Sequence, residues 1–277
     1  MIGVVDVGGG LRGIYGAGVF DRCLDENISF DCCIGVSAGS ANAISFICRQ
    51  HTRNYRFYHD YSFHREYMSA LNFIKTGSYI GLDYVYGTLS NKDGHDPLDY
   101  EAFKAYKGIF NAVATDCQTA EPKYFTAEDI SENNYRVLNA SSCIPIVCRP
   151  VEINGRKYCD GGVSDPVPVE RAFGSGCDRV VVILTKPVDF IRDGKTDGIG
   201  AALLRRSPQI AAALKNRAAL YNAEVALAAK HEKEGKCLIV APDDCCGVST
   251  LSKNKSNLDA LYRKGYSDAE KIKDFIK

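Results

Sequence analysis

Short, mostly β-branched runs alternate along the chain with longer stretches whose apolar positions recur every three or four residues. This alternation is the pattern of βαβ units on a mostly parallel sheet. Residues 2–7 read as a buried strand that runs into glycines, and 14–27 as a helix. Residues 31–36 read as a second strand, followed by a helix of small residues over 37–50. Further strands are predicted at 110–115 and 123–126, and a helix at 135–143 that stops at Pro145. Segments 147–153 and 156–159 flank Asn154-Gly155, a strong hairpin signal. A helix over 167–173 leads to the fully apolar run 180–184, as expected for a strand covered on both faces. An alanine-rich helix fills roughly 199–233, and a last strand at 237–241 precedes a helix over 257–276.

The regular alternation lapses between residues 51 and 108, where the chain becomes irregular and aromatic. Tyr55, Tyr58 and Tyr61 lie at helical intervals there, and Gly/Asp-rich segments follow. No internal repeat or linker-like segment interrupts the rest. The expected architecture is one α/β domain over 1–277, three-layer α/β/α with a mostly parallel central sheet. It carries an aromatic helical insertion around 51–108 and a helix-rich C-terminal third.

Charge narrows the function. The 34 Lys and Arg balance 34 Asp and Glu, and a pI near 6.9 argues against a nucleic-acid binder that works through bulk charge. Residues 192–277 hold 16 basic and 11 acidic side chains, an excess that reads as a solvated helix face. Asp6 and the glycines break any N-terminal signal pattern. The longest uncharged run, 32–48, is interrupted by Ser, Asn and Gly and falls short of a membrane span. Many of the twelve cysteines sit in apolar runs and no C-x-x-C pair occurs, so they read as free thiols rather than zinc ligands. That points to a reducing, cytoplasmic compartment, with no metal and no cofactor expected.

Three short motifs carry candidate chemistry. The first is GVSAG, Gly35 to Gly39, which fits G-x-S-x-G. A strand must turn sharply into a helix there, leaving Ser37 exposed at the turn with a helix N-terminus behind it. An α/β-hydrolase would place this elbow after several strands and follow it with an acid and a histidine. Here it follows one strand. His51, His59, His64, His95 and His231 all read as surface or packing residues, so a base for Ser37 must come from elsewhere.

The second motif is the loop VGGGLRG, with Gly8, Gly9, Gly10 and Gly13 between the first strand and its helix. Such a loop offers backbone N–H groups to an anion. Gly8, Gly10 and Gly13 satisfy a dinucleotide fingerprint, but the second strand ends without the acid that fold requires. A P-loop lysine is also missing. The loop can serve as an oxyanion hole for Ser37, with Arg12 fixing it or meeting a phosphate. It can also bind a phosphate or nucleotide in a non-catalytic protein. The third motif is Asp160-Gly161-Gly162, just after the predicted hairpin. Alone it is a turn. Beside the other two it supplies a carboxylate able to accept a proton from Ser37.

GGGLRG at 8–13, GVSAG at 35–39 and DGG at 160–162, in that order, resemble the patatin-like phospholipase family, most closely its bacterial cytoplasmic members. NASSCIPIV and KYCDGGVSDPVPV resemble family blocks too, and the similarity covers roughly residues 1–185. The resemblance implies a patatin-like fold and a lipid acyl hydrolase with a Ser–Asp dyad and no metal. Ser37 then becomes the nucleophile and Asp160 the general base, with oxyanion donors from Gly8, Gly9, Gly10 and Arg12. Gly13, Gly35, Gly39, Gly161 and Gly162 support the motifs. The substrate is a lipid or acyl ester, and transient contact with a membrane surface is compatible with it. The aromatic segment 55–67 and the apolar 68–80 read either as an acyl-chain groove or lid or, equally well, as ordinary helix packing.

Overall fold

The computed structural model describes residues 1–251 and 253–277. Its strands are β1 (Ile2–Asp6), β2 (Cys32–Val36), β3 (Ile109–Asp116), β4 (Pro122–Phe125), β5 (Val151–Ile153), β6 (Arg156–Asp160), β7 (Arg179–Ile183) and β8 (Cys237–Val240). They form one mixed sheet. β3, β2, β1, β7 and β8 lie side by side and parallel, whereas β4, β5 and β6 join antiparallel.

Helices follow as α1 (Ile14–Asp25), α2 (Ala38–Ile47), α3 (Arg53–His59), α4 (Ala70–Thr76), α5 (Tyr100–Ala105) and α6 (Arg136–Ser142). The later ones are α7 (Val169–Gly174), α8 (Lys195–Leu203), α9 (Pro208–Lys233), α10 (Lys255–Asp268) and α11 (Ile272–Phe275). The two-residue period of the strands sorts them into layers. Val4, Cys33, Phe110 and Val181 share a core with α1, α2, α6 and α10. Val5, Ile34, Val180 and Val182, one residue along, share the other core with α7 and α9. Helices α1 and α10 cross at two glycines: a Cβ on Gly18 would collide with the Tyr262 carbonyl, and one on Gly265 with that of Tyr15.

One pairing detail positions everything that follows. β4 pairs with β3 over Ala112–Thr115. β2 pairs with β3 up to Val113, and β6 takes over at Ala114. A strand has two edges, and β4 occupies one of them along both stretches. β2 and β6 therefore share the other edge, meeting end to end opposite consecutive residues of β3.

Three expectations change. The helix predicted over 199–233 is two, because Pro208 lacks an N–H and starts α9 afresh after a turn at 204–207. The helix predicted over 257–276 ends at Asp268 and resumes as α11. The hairpin strand predicted from 147 begins only at Val151, since Pro145 and Cys148 bridge to each other and Ile146 takes φ 74°.

The aromatic segment is core rather than surface decoration. Phe57, Tyr58, Tyr67 and Tyr86 are buried on the α2 side of the sheet. A buried cation ties the segment down. The Arg53 guanidinium donates to Ser45 Oγ (2.9 Å), Ser90 Oγ (2.9 Å) and the Asp96 carbonyl (3.0 Å). Asp96 also receives Arg56 through both carboxylate oxygens, at 2.6 and 3.0 Å. Removing one partner of a buried pair strands the other in low dielectric. Asp96→Ala is therefore expected to cost about 3 kcal/mol, read as a lower urea midpoint with an unchanged slope.

Candidate active site

Ser37 occupies the step from β2 into α2 with φ 56° and ψ −130°, backbone that an L residue adopts only under constraint. Its N–H donates to Ser141 Oγ at 3.0 Å, and its carbonyl accepts from Ser40 N and Oγ at 3.0 and 2.7 Å. The turn is therefore held from both sides. Val36, the residue before it, faces Val113 of β3.

Asp160 is the last residue of β6 and faces Ala114, the next residue of β3. Its N–H donates to the Cys143 carbonyl (2.9 Å), and its own carbonyl accepts from Thr115 Oγ1 (2.8 Å). Oδ1 accepts from Gly162 N at 2.8 Å. Burial raises the Asp160 pKa above the ordinary carboxylate value, opposed by Arg217 and by hydrogen bonds from the Ser37 side chain and Gly162 N. Ser37 and Asp160, 123 positions apart in sequence, are thus side by side.

Gly8, Gly9 and Gly10 leave β1 with φ values of 63°, 118° and 62°. Three successive positive φ values need glycine. The loop is braced by Asp6, fully buried, whose oxygens accept from Gly8 N (2.9 Å) and Asn42 Nδ2 (2.8 Å). Burial pushes Asp6 up to about 6 against those two donors. The Gly8 N–H is engaged by Asp6, and its carbonyl accepts from Thr185 Oγ1. The Gly9 and Gly10 N–H groups donate to no other group among the described residues.

A cavity of about 400 Å³ opens over these residues. Gly8, Gly9, Gly10, Arg12, Ser37, Asp160 and Gly162 line it. Gly35, Gly39 and Gly161 lie behind the lining, where turn and strand backbones approach closely, and Gly13 lies there against the Tyr58 hydroxyl and Ala38. No histidine lines it, and His231 is instead 3.2 Å from Glu234. Among the described residues no three His, Cys, Asp or Glu side chains converge to hold a metal ion. Residues 51–108 supply none of this lining: Phe57, Tyr58 and Tyr67 pack in the core, while Leu71, Phe73 and Ile74 of α4 are exposed. The apolar lining includes Ile144, Ile146, Val163, Ile199, Leu203 and Leu214.

Sequence reasoning missed the cavity's C-terminal side. Arg217 of α9 donates through Nε to the Gly162 carbonyl. Arg192 grips Asp197 at 2.6 and 2.7 Å, and Arg217 Nη1 is 3.5 Å from the same carboxylate. Thr250 accepts from Arg12 Nη1 at 2.8 Å. Helix α9 holds the loop after Asp160 at a second point, where Glu224 Oε2 accepts from Val167 N at 2.7 Å. Burial and the nearby Asp165 push Glu224 up to about 8, burial raises Asp165 as well, and the two neighbouring carboxyls share a proton, with Tyr124 OH donating to Asp165. The alanine-rich composition of α9 carries no signal for any of this.

Known proteins were compared with this chain. Residues 7–173 match the family model of patatin-like phospholipases, and residues 207–277 match a domain of unknown function, DUF6363. The uncharacterized protein YjjU of Escherichia coli (strain K12) is 35% identical over 189 residues, 67% of this chain and 52% of that protein. The chain thus spans about half the length of that curated relative. Among solved structures, VipD from Legionella pneumophila superposes with a TM-score of 0.50 at 13% identity, covering 98% of this chain and 66% of that one. At that identity the likeness shows the fold alone.

The Glu224–Asp165 contact predicts a pH dependence of stability. A carboxyl whose folded pKa is raised holds a proton that the unfolded chain releases. Stability therefore falls as pH rises from the ordinary glutamate value toward about 8. Urea denaturation of wild type across that window should show the fall, and Glu224→Gln should flatten it.

Proposed function

The chain belongs to the patatin-like phospholipase family, a family of lipid hydrolases, and on that premise we propose that it is a serine acyl hydrolase of the phospholipase A or lysophospholipase type. Ser37 Oγ attacks the acyl carbonyl while its proton passes to Asp160. The tetrahedral oxyanion is met by the Gly9 and Gly10 N–H groups; one such donor is worth about 3 kcal/mol in other hydrolases. Arg12 adds positive charge beside them. Asp160 returns the proton to the departing alkoxide, leaving an acyl-Ser37 ester. Water then attacks that ester with Asp160 again accepting a proton, and the adduct collapses by expelling Ser37 Oγ, which takes the proton back from Asp160 as the free acid leaves.

The observation that carries this reading is the end-to-end meeting of β2 and β6 on one edge of β3, which sets Ser37 beside Asp160 under the glycine loop. A carboxylate can act as base here because burial lifts its pKa toward that of a useful proton acceptor. The helix α2 dipole and the two free N–H groups favour negative charge where the oxyanion forms. Ile146, Ile199 and Leu203 both line the cavity and are exposed, at 38%, 69% and 66%. That apolar rim supports transient contact with a membrane surface. No helix among the described residues is long and apolar enough to cross a membrane. Because β8 and α9 complete the sheet and the cavity, we read 1–277 as one domain, and its free thiols as fitting the cytoplasm.

The test is a soluble acyl ester together with a fluorophosphonate label. Ser37→Ala should lose about 10³-fold or more in kcat with an unchanged melting temperature. Asp160→Asn should fold and label slowly, because asparagine keeps the turn but takes no proton. An active Asp160→Asn enzyme removes the dyad. Saturable nucleotide binding without Ser37 labelling replaces the hydrolase with a non-catalytic binding protein.

Arg217 supplies a further expected outcome. Its charge lowers the Asp160 pKa, and the base must be ionised to work. Arg217→Gln should shift the acid limb of kcat/KM to higher pH, and Arg217→Lys should restore part of the shift.

A further inference from the structure

The cavity carries more positive charge than the proposed chemistry uses. Arg12, Lys186, Arg192 and Arg217 line it against the carboxylates Asp160 and Asp197, an excess of two positive charges before any substrate enters. An oxyanion is transient and carries one negative charge. It leaves the resting excess unexplained.

The four cations are not equally compensated. Arg192 and Arg217 share Asp197. Arg12 and Lys186 have no carboxylate within 4.0 Å among the described residues. Arg12 Nε is buried with no hydrogen-bond partner, and the guanidinium sits over Gly9, whose Cβ position is 3.0 Å from Nη2. Burial lowers the Arg12 pKa, and repulsion from Arg192 and Arg217 adds to that. Lys186 is held over the Phe190 ring, 4.7 Å from its centre. Holding like charges together in a partly dry cleft is costly unless an anion completes the set. The same lining also holds the aliphatic residues Ile146, Ile199, Leu203 and Leu214.

We propose that the site selects acyl esters whose head group carries a net negative charge, such as a phosphate monoester, and that Arg12, Lys186 and Arg192 are the side chains that recognise it. This rests on the hydrolase reading above and adds the charge of the head group to it. The acyl chain lies along the aliphatic lining, the ester meets Ser37, and the anion fills the place among the cations. A zwitterionic head group brings its own cation and gains less, and an uncharged one gains nothing from them. Asp197 sets the strength of the preference, because it neutralises part of the cluster.

The experiment uses the full chain and three hexanoyl esters, of glycerol, glycerol phosphate and glycerophosphocholine. All are kept monomeric so that no lipid surface contributes. The glycerol phosphate ester should exceed the glycerol ester in kcat/KM by about tenfold at low salt and lose that advantage as ionic strength rises. The glycerophosphocholine ester should stay near the neutral one. Arg192→Gln should shrink the ratio of anionic to neutral kcat/KM, and Asp197→Asn should enlarge it. Misfolding does not produce opposite changes in a ratio. Inorganic phosphate should compete with the anionic ester and erase its advantage. Equal rates for the three esters in an enzyme that labels at Ser37 would overturn this inference and leave the hydrolase reading standing. So would phosphate binding in calorimetry without any ester preference, which would mark a site for free anion. Absence of both hydrolysis and Ser37 labelling would remove the hydrolase reading and this inference with it.

Discussion

A β-strand has two hydrogen-bonding edges, and each stretch of an edge pairs with one neighbouring strand. At β3 that rule arranges the site. β4 takes one edge, so β2 and β6 must divide the other between Val113 and Ala114. Two chain ends arriving from opposite directions leave a gap at their junction, and Ser37 and Asp160 are the residues at its two sides. A slip of either strand by one residue would turn its side chains to the opposite face and separate the pair.

Around that junction the charges are supplied by elements distant in sequence. Asp6 holds the glycine loop from below, Arg217 holds the loop after Asp160 from above, and Glu224 anchors the same loop farther along. The segments matched by two separate family models therefore meet in one cavity. The opposing effects on Asp160 are of comparable kind. Desolvation favours the neutral acid, while a guanidinium, a hydroxyl and an amide favour the carboxylate. The balance leaves a base that is basic enough to take a proton and ionised enough to be ready for one.

Helix α9 performs two tasks that its composition hides. Tyr221, Val225 and Ala228 bury themselves against the sheet, while Leu214, Arg217 and Tyr221 reach the cavity. A helix with one face on a sheet and its N-terminal half over a cleft shows no simple amphipathic stripe. Its polar positions look solvated in sequence, although Arg217 is drawn inward by the Gly162 carbonyl and Asp197.

The sequence by itself determined the local features. Seven of the eight described strands begin and end within a residue of where the sequence predicts, the parallel ones because a fully covered strand needs an unbroken apolar run. The three glycine-bearing motifs are legible because positive φ and close backbone approach restrict residue choice at the site itself. Pro208, too, marks the break in the alanine-rich stretch, although periodicity alone runs across it. Only the tertiary structure decided which of these pieces touch. The aromatic pattern at 55–67 is the same for a lipid groove and for core packing, and burial against α2 settled it as core. Gly8 reads as a free donor until Asp6, two residues earlier, is seen to claim its N–H. Arg217 and Asp197 are unremarkable in sequence, since a charge acquires its meaning from desolvation and from neighbours a few ångströms away. Those distances come from strand pairing and helix docking across the whole chain, which no local window of residues contains.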